Sequence, residues 1–380
     1  MGFGLRKYWV FELPLLGLKT KGIRDEVLTQ KSERTVEKKS RRQFLKSLAY
    51  VPGVAVAAGA LSSGVSTPAL GNTAAFVPSY LRLHRNGELK ARGEILWEKM
   101  RSCTLCPRMC KKNRLRGQRG DCRANATLEI SSAFPHFGEE PELVGNRGSG
   151  AIFFTNCPLH CVFCINYEVS QLGHGREYTI TELANMMLLL QRQGCHNINL
   201  VTPTHYIPHI LLALDNATGR GLRLPMVYNT CSWKNLEVLQ MLDGIVDIYL
   251  PDFKYADAEA ANTFSPGAFC YPETAQAAIL EMHRQVGTAR PHPTTNLVTR
   301  GVMIRHLVMP NNVARTDLVM QWIAANLPRD TYVNIMSQYT PMFRAGEFPL
   351  IARRITRLEY QNAVNAARRA GLTNIKMQMR

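Results

Sequence analysis

The sequence predicts an α/β fold in which six strand–helix units follow one another, the pattern of a parallel sheet curved into a partial barrel. Two observations support it: the predicted strands are short apolar runs rich in β-branched residues, and the segments between them carry a single apolar stripe with helical spacing. The 380 residues, 46% of them apolar, suffice for one core domain of roughly 200–250 residues with smaller additions.

The first unit starts with a strand at 150–156 and continues, after a cysteine-rich loop, with a helix from 180 to about 193. Thr179 and Glu182 have the spacing of a capping box at the start of that helix. The other units follow in order, with strands at 197–202, 225–230, 246–250, 302–308 and 331–336, and helices at 207–216, 235–242, 273–285, 317–327 and 357–369.

Four regions are predicted: a basic leader (1–80), a cysteine-rich metal-binding segment (81–145), the barrel (146–345) and a C-terminal helical extension (346–380). Within the leader, Arg41 and Arg42 precede Phe-Leu-Lys and a mildly apolar run, which favours a twin-arginine export signal. The run is short and rich in Gly and Ser, so it does not predict a membrane span. A disordered basic tail is the alternative.

The net charge of +17 is concentrated in two places. Residues 1–50 hold 12 Lys/Arg and 5 Asp/Glu, and residues 101–123 hold 8 Lys/Arg and a single Asp. Because the excess belongs to a leader and to one cysteine segment, and not to a broad face, we do not expect a nucleic-acid partner.

The first of two cysteine clusters has four members within twenty residues. Four thiolates in one compact segment close a tetrahedral zinc site or hold an iron–sulfur cluster, and the sequence leaves both readings open. An unliganded, reduced loop is the third alternative. The four residues are Cys103, Cys106, Cys110 and Cys122.

The second cluster, Cys157, Cys161 and Cys164, directly follows the first predicted strand with the spacing C-x3-C-x2-C. A closed structural site needs four protein ligands, so three thiolates leave one metal position open to a small chelating ligand. The alternative is a zinc or ferredoxin-type site completed by a distant fourth ligand, such as Cys195, Cys231, His160 or His174.

Polar side chains follow the later strands, and the carboxyl ends of parallel strands meet at one edge, where such barrels build their active sites. Thr204 is equally well explained as a helix cap, and Asp252 with Lys254 as a surface pair. The candidates selected in this way are Thr202, Thr204, His205, Asn229, Asp252, Lys254 and Arg305.

The three-cysteine spacing directly after a first strand is the signature of the radical S-adenosylmethionine (SAM) superfamily. Together with Cys-Pro-Arg-x-Cys upstream, Asn-Leu-Val-Thr-Pro-Thr-His and Asp-Ile-Tyr-Leu-Pro-Asp-Phe-Lys-Tyr, it resembles homologues of pyruvate formate-lyase activating enzyme over residues from about 95 to 345. The resemblance implies a radical SAM barrel in which a [4Fe–4S] cluster on the three cysteines cleaves SAM to a 5′-deoxyadenosyl radical. It also implies a low-potential electron donor of the flavodoxin or ferredoxin type. A protein substrate, such as a glycyl-radical enzyme, would be activated by hydrogen abstraction.

The resemblance also gives roles to the candidates. Phe163 stands where the family places an aromatic residue against the adenine. Thr202, Thr204 and His205 replace the family's Gly-Gly-Glu and would hydrogen-bond the methionine part of SAM. The Asp-x-Lys of the family, matched by Asp252 and Lys254, contributes to cofactor or cation binding, and Asn229 lies at the same edge. Arg305 would pair with the SAM carboxylate.

A second function of a different class remains open: an exported iron–sulfur electron-transfer or metal-binding protein without SAM turnover. The leader motivates it, because twin-arginine export carries folded, cofactor-loaded proteins to the periplasm or membrane face. SAM supply favours the cytoplasm instead.

Overall fold

The computed structural model describes residues 76–377, which form one compact unit. The twin-arginine segment and most of the predicted leader lie outside the described residues. Among the helices of 76–377, none combines the length and apolar character required to cross a bilayer.

Nine strands form one mostly parallel sheet in the order β3-β1-β2-β4-β5-β6-β7-β8-β9. Only the pairings of β1 with β2 and with β3 are antiparallel; all pairings from β2 to β9 are parallel. The strands are β1 (Leu128–His136), β2 (Ser149–Phe154), β3 (Arg176–Tyr178), β4 (Ile198–Val201), β5 (Met226–Thr230), β6 (Ile248–Pro251), β7 (Gly301–Leu307), β8 (Tyr332–Met336) and β9 (Ile375–Met377).

Helices occur in each connection between the parallel strands, which need a long crossover, and three more lie before β2. They are α1 (Tyr80–Arg85), α2 (Glu88–Glu98), α3 (Pro141–Val144), α4 (Tyr167–Ser170), α5 (Ile180–Arg192), α6 (Ile207–Gly219), α7 (Leu236–Gln240), α8 (Ala258–Phe264), α9 (Tyr271–Val286), α10 (Thr316–Asn326) and α11 (Arg357–Arg369).

The α/β prediction is confirmed, and the six predicted strands correspond to β2 and β4–β8 within about two residues. The capping box that begins α5 is present: the Thr179 side chain accepts from the Glu182 backbone, and Glu182 accepts from the Thr179 N–H at 2.7 Å. The sheet also crosses the boundary predicted at residue 146, because β1 lies before it and pairs along most of β2.

The parallel strands separate two apolar clusters, because successive side chains on a strand face opposite sides. One face packs against the helices in the large core. The other carries a smaller cluster that includes Val227, Ile248, Met303 and Tyr332, together with Leu143 of α3. The same face becomes polar toward the carboxyl ends of the strands, where Asn199, Asn229, Arg305 and Asn334 follow the alternation.

Candidate cysteine site at the carboxyl edge of the sheet

The loop that carries the three clustered cysteines begins where β2 ends. Asn156 and His160 adopt left-handed backbone conformations, with φ of 66° and 59°, and turn the chain twice within five residues. The Val162 N–H donates to the carbonyl of Phe264 at 2.9 Å, and the Arg344 N–H donates to the carbonyl of Val162 at 2.9 Å. The loop is therefore fixed by backbone hydrogen bonds to two distant segments.

Each of the three thiols has a polar partner. Ser265 Oγ lies 3.2 Å from Cys161 Sγ, Ser170 Oγ lies 3.1 Å from Cys164 Sγ, and the Leu159 N–H donates to Cys157 Sγ at 3.5 Å. Burial raises the pKa of Cys161 to about 12 and also raises that of Cys164. Without a metal the thiols are therefore protonated near neutral pH, and a bound metal would displace their protons.

A fourth thiol, that of Cys231, reaches the same place from the end of β5. It hydrogen-bonds Cys157, and this bond raises the pKa of Cys157 and lowers that of Cys231. The Lys234 and Lys254 ammonium groups act in the same direction on Cys231. Cys231 is one of the four distant ligands that the sequence allowed, and it is the one that the fold brings to Cys157.

Lys254 is a cation near this group of sulfurs, and its positive charge lowers the pKa of Cys161, Cys164 and Cys231. Its Nζ pairs with Asp252 Oδ2 at 2.8 Å. Although burial opposes the charged form, Asp252 and then Cys161 raise the pKa of Lys254. The lysine is therefore charged and lies where a negatively charged metal–thiolate centre would need a counter-ion.

Arg305 connects the Asp252–Lys254 pair to Glu139 and Asn229. Its Nε donates to Asp252 Oδ1 at 2.8 Å, Nη1 to Glu139 Oε1 at 2.9 Å and Nη2 to Asn229 Oδ1 at 2.7 Å. Asn229 and Asn199 in turn donate to Glu139 Oε2 at 2.9 and 3.1 Å. Burial disfavours a charged carboxylate, but Arg305 and Lys254 hold the pKa of Asp252 below its ordinary value.

The four cysteines of the first cluster also lie together. The thiols of Cys103, Cys110 and Cys122 are close enough to Cys106 to raise its pKa, which burial and these neighbours bring to about 12. A Cβ at Gly120 would lie 3.3 Å from Cys110 Sγ and 3.5 Å from Cys122 Sγ. The glycine thus leaves the space that two converging sulfurs need.

Arg114 supports this cluster from within the protein. It is fully buried, lies 3.9 Å from Cys103 Sγ through Nη1, and donates to the carbonyls of Asn125 at 2.6 Å and His205 at 2.8 Å. Its charge lowers the pKa of Cys122, although burial raises that pKa overall. A buried guanidinium beside thiols offsets the charge that they carry once deprotonated.

Two contacts join the cysteine segments to each other. Arg108 donates to the carbonyl of Pro158 at 2.6 Å, and His160 Nε2 lies 2.7 Å from the carbonyl oxygen of Asp121.

Within residues 76–377, no group of three or more His, Cys, Asp or Glu side chains has its ligand atoms already converged in metal-binding geometry.

No family model matches the chain. The uncharacterized protein MJ0674 of Methanocaldococcus jannaschii is 31% identical over 289 residues, which cover 73% of this chain and 78% of that protein. The chain belongs to the family of MJ0674. The printed name of MJ0674 gives no activity, so membership in the MJ0674 family adds no function by itself.

In this member of the MJ0674 family, the fold brings together Cys157, Cys161, Cys164, Asp252 and Lys254. Asn229 and Arg305 are joined to them through Asp252. All three Arg305 nitrogens that donate are bonded within the protein, so its observed role is to hold Asp252 and Glu139. Sequence reasoning missed Glu139, since an acidic residue in a connection before a proline usually indicates an exposed helix start.

The other residues that the sequence predicts to contact the cofactor are bonded to groups of the protein. Thr204 Oγ1 accepts from Lys234, and His205 is buried with Nε2 2.7 Å from the carbonyl oxygen of Thr155. Burial lowers the pKa of His205 to about 3, so its ring is neutral. Thr202 has a φ of 59°, and its N–H donates to the carbonyl of Asn229.

Phe163 is 6% exposed, and its ring packs between those of Tyr255 and Tyr339, with centroids 6.3 and 5.8 Å away. These ring contacts anchor the loop to the segments of Tyr255 and Tyr339.

Proposed function

We propose that this chain is a radical SAM enzyme whose [4Fe–4S] cluster is held by Cys157, Cys161 and Cys164. The observation that carries the proposal is a three-cysteine loop at the carboxyl end of β2, beside a partly buried Asp252–Lys254 pair from the end of β6. The unbroken run of parallel strands β2 and β4–β8 supports a partial (β/α)6 barrel of the radical SAM type.

The side chains at this site have the ligand atoms and the charge that such a cluster requires. Three thiols, two of them beside a serine hydroxyl, face a lysine that offsets their negative charge. A [4Fe–4S] cluster bound there would supply one-electron reductive cleavage of SAM to methionine and a 5′-deoxyadenosyl radical. The chain's own residues hold the thiolates, keep Lys254 charged through Asp252, and fix Asp252 through Arg305.

The direct test is SAM cleavage by anaerobically reconstituted protein reduced with dithionite. We expect 5′-deoxyadenosine to form, and Cys161→Ala to abolish it. Cys270→Ala is the matched control, because Cys270 is a free cysteine at the start of α9 and belongs to neither cysteine cluster. Equal product from Cys161→Ala and the control would sink the proposal.

One observation favours a second function, an iron–sulfur electron-transfer protein without SAM turnover. The hydrogen bond between Cys231 and Cys157 puts a fourth thiol within reach of the proposed cluster. Four thiolates close a cluster and leave no position for SAM.

Electron paramagnetic resonance (EPR) separates the two functions. If three cysteines hold the cluster, SAM changes the spectrum of the reduced protein, and Cys231→Ser retains both the cluster and the response. If Cys231 is the fourth ligand, SAM leaves the spectrum of the parent protein unchanged. In that case only the Cys231→Ser variant gains a response to SAM.

We also propose that the cysteine cluster of residues 103–122 binds a metal of its own, held by Cys103, Cys106, Cys110 and Cys122. Metal quantification distinguishes its two forms: about four irons and one zinc per chain for a zinc site, and about eight irons for a second [4Fe–4S] cluster.

A further inference from the structure

Two buried cations lie beside the cysteine segments, and neither has a carboxylate partner in the part of the chain that the structure describes. Lys234 is 5% exposed and donates through Nζ to Thr204 Oγ1. Arg114 is fully buried and donates to the carbonyls of Asn125 and His205. Because charged side chains are rarely buried without an anion, both groups indicate a negative charge that the carboxylates of the protein do not supply.

Sulfur atoms are the groups that these cations approach. Lys234 follows Cys231 by three residues, after β5. Its charge lowers the pKa of Cys231, which hydrogen-bonds Cys157 of the three-cysteine loop. Arg114 Nη1 lies 3.9 Å from Cys103 Sγ of the first cluster. Each cysteine group therefore has a buried cation whose charge is met by sulfur.

The Lys234 side chain is fixed inside the protein by its neighbours. The next residue, Asn235, donates through Nδ2 to the carbonyl of Thr104 at 2.8 Å, which ties the segment to the first cysteine cluster. The Lys234 ammonium group lies 5.6 Å from the centre of the buried Tyr228 ring and bonds the Thr204 hydroxyl. The charge is therefore held at one position close to the end of β5.

Lys254, the other lysine near these sulfurs, differs from Lys234 in one respect. It pairs with Asp252 at 2.8 Å, so its charge is compensated whether or not a metal is bound. Metal binding displaces the protons of the thiols and makes the sulfurs anionic. Charges inside a protein interact over several ångströms without contact. The charge of Lys234 is therefore fully compensated only when the thiols hold a metal.

We propose that Lys234 is the counter-ion of the metal–thiolate centre on the three-cysteine loop, and that Thr204 is the residue that positions it. The inference rests on the proposed function, because that function assigns a cluster to the loop. The role needs no accessible surface at the ammonium group, since the charge acts through space. Thr204 thereby gains a function other than the SAM contact that the sequence suggests: its hydroxyl holds the lysine.

The first test compares two lysine variants of the metal-free protein by chemical denaturation. Lys234→Met removes a buried charge without breaking an ion pair, so we expect an unfolding midpoint at or above that of the parent. Lys254→Met takes one cation away from Asp252, so its midpoint should fall. Lys90→Met is the control for the substitution itself and should keep the parent midpoint, because Lys90 is exposed and pairs with Glu94 at the surface.

The second test uses anaerobically reconstituted protein, in which the iron of the loop is the iron that Cys161→Ala removes. We expect Lys234→Met to lose this iron to a ferrous chelator roughly tenfold faster than the parent. Reduction should be disfavoured by a similar factor, a fall in potential of about 59 mV for one electron. Lys234→Arg keeps the charge and should stay near the parent. Thr204→Val should reproduce part of the fall, whereas Thr204→Ser, which keeps the hydroxyl, should not.

Parent-like iron loss and potential in Lys234→Met would overturn the counter-ion role. A metal-free midpoint as low as that of Lys254→Met would overturn it as well, because the lysine would then stabilise the fold without a metal. A parent-like potential in Thr204→Val would overturn the positioning role of Thr204. These outcomes do not depend on SAM turnover: a protein that holds the cluster but forms no 5′-deoxyadenosine contradicts the proposed function, and the Lys234 comparison still decides the counter-ion role.

Discussion

The two cysteine segments use the same ligand atoms in different surroundings. Residues 103–122 bring four thiols together within one local segment, around a glycine that leaves room for them and beside a buried arginine. Residues 157–164 bring only three, and they depend on the ends of β5 and β6 for the nearby Cys231 and Lys254. A locally complete set suits a structural metal, whereas a set completed at a sheet edge suits a reactive one.

The strongest test of this difference removes one thiol from each set of cysteines. We expect Cys161→Ala to lose about four irons and all SAM cleavage, while the metal of residues 103–122 stays bound. Cys106→Ala should lose the other metal and lower stability, with residual SAM cleavage. Metal analysis and 5′-deoxyadenosine assays on both variants check this. Loss of all metal in either variant would show that the two centres form as one.

The second prediction concerns the buried charges beneath the three-cysteine loop. Glu139→Gln removes one of the two negative charges paired with Arg305 and turns an amide NH2 toward the Asn199 and Asn229 donors, while Asp252 still pairs with the arginine, so we expect a loss of about 1–3 kcal/mol. Chemical denaturation measures the loss. Glu347→Gln is the matched control, since its exposed pair with Arg344 contributes little. Equal midpoints for the two variants would show that the Glu139 network does not support the site.

Local periodicity is the reason why so much of the fold could be predicted from the sequence. The strand β6 and the helix α11, for example, are defined by apolar patterns that need no distant partner. The three-cysteine loop and the Asp252–Lys254 pair were predicted for a similar reason, because parallel strands bring their carboxyl ends to one edge.

What could not be predicted depends on tertiary contacts. Glu139 is buried only because the segment before α3 passes under the sheet and reaches Arg305. Polar residues after a strand also look alike in sequence: Thr204 and His205 face inward to Lys234 and Thr155, whereas Asp252 faces the thiols. The direction of each side chain depends on the backbone turn that follows the strand. At Thr202 this turn has a positive φ, which the residue type does not predict, because threonine rarely adopts such a conformation.

The third prediction concerns the positive charge of Lys254 beside the thiols. Lys254→Met removes a positive charge near Cys161 and Cys164, so the proposed cluster, which would be more negative when reduced, would lose stabilisation in that state. We expect the reduction potential to fall on the order of tens of millivolts. Lys254→Arg keeps the charge and should stay near the parent value. Potentiometric titration followed by EPR measures this, and an unchanged potential in Lys254→Met would place the cluster away from the lysine.

The fourth prediction is a pH dependence of stability from His306, which contacts the segment that carries Lys254. Its Nδ1 lies 2.7 Å from the carbonyl oxygen of Phe253, its Nε2 lies 2.8 Å from Thr316 Oγ1, and burial lowers its pKa to about 4. The unfolded chain binds the proton near pH 6.5 and the folded chain does not. The stabilising contribution is therefore complete above pH 6.5 and is lost as the pH falls toward 4.

At pH 5 the loss amounts to about 2 kcal/mol from this one histidine. His306→Gln removes the titrating group, so its unfolding midpoint should fall less between pH 7 and pH 5 than that of the parent. Because both proteins share every other titrating group, the difference between the two slopes isolates His306. Parallel slopes would mean that His306 has the same pKa in the folded and the unfolded chain, so that its burial between the Phe253 carbonyl and the Thr316 hydroxyl does not disfavour the charged ring.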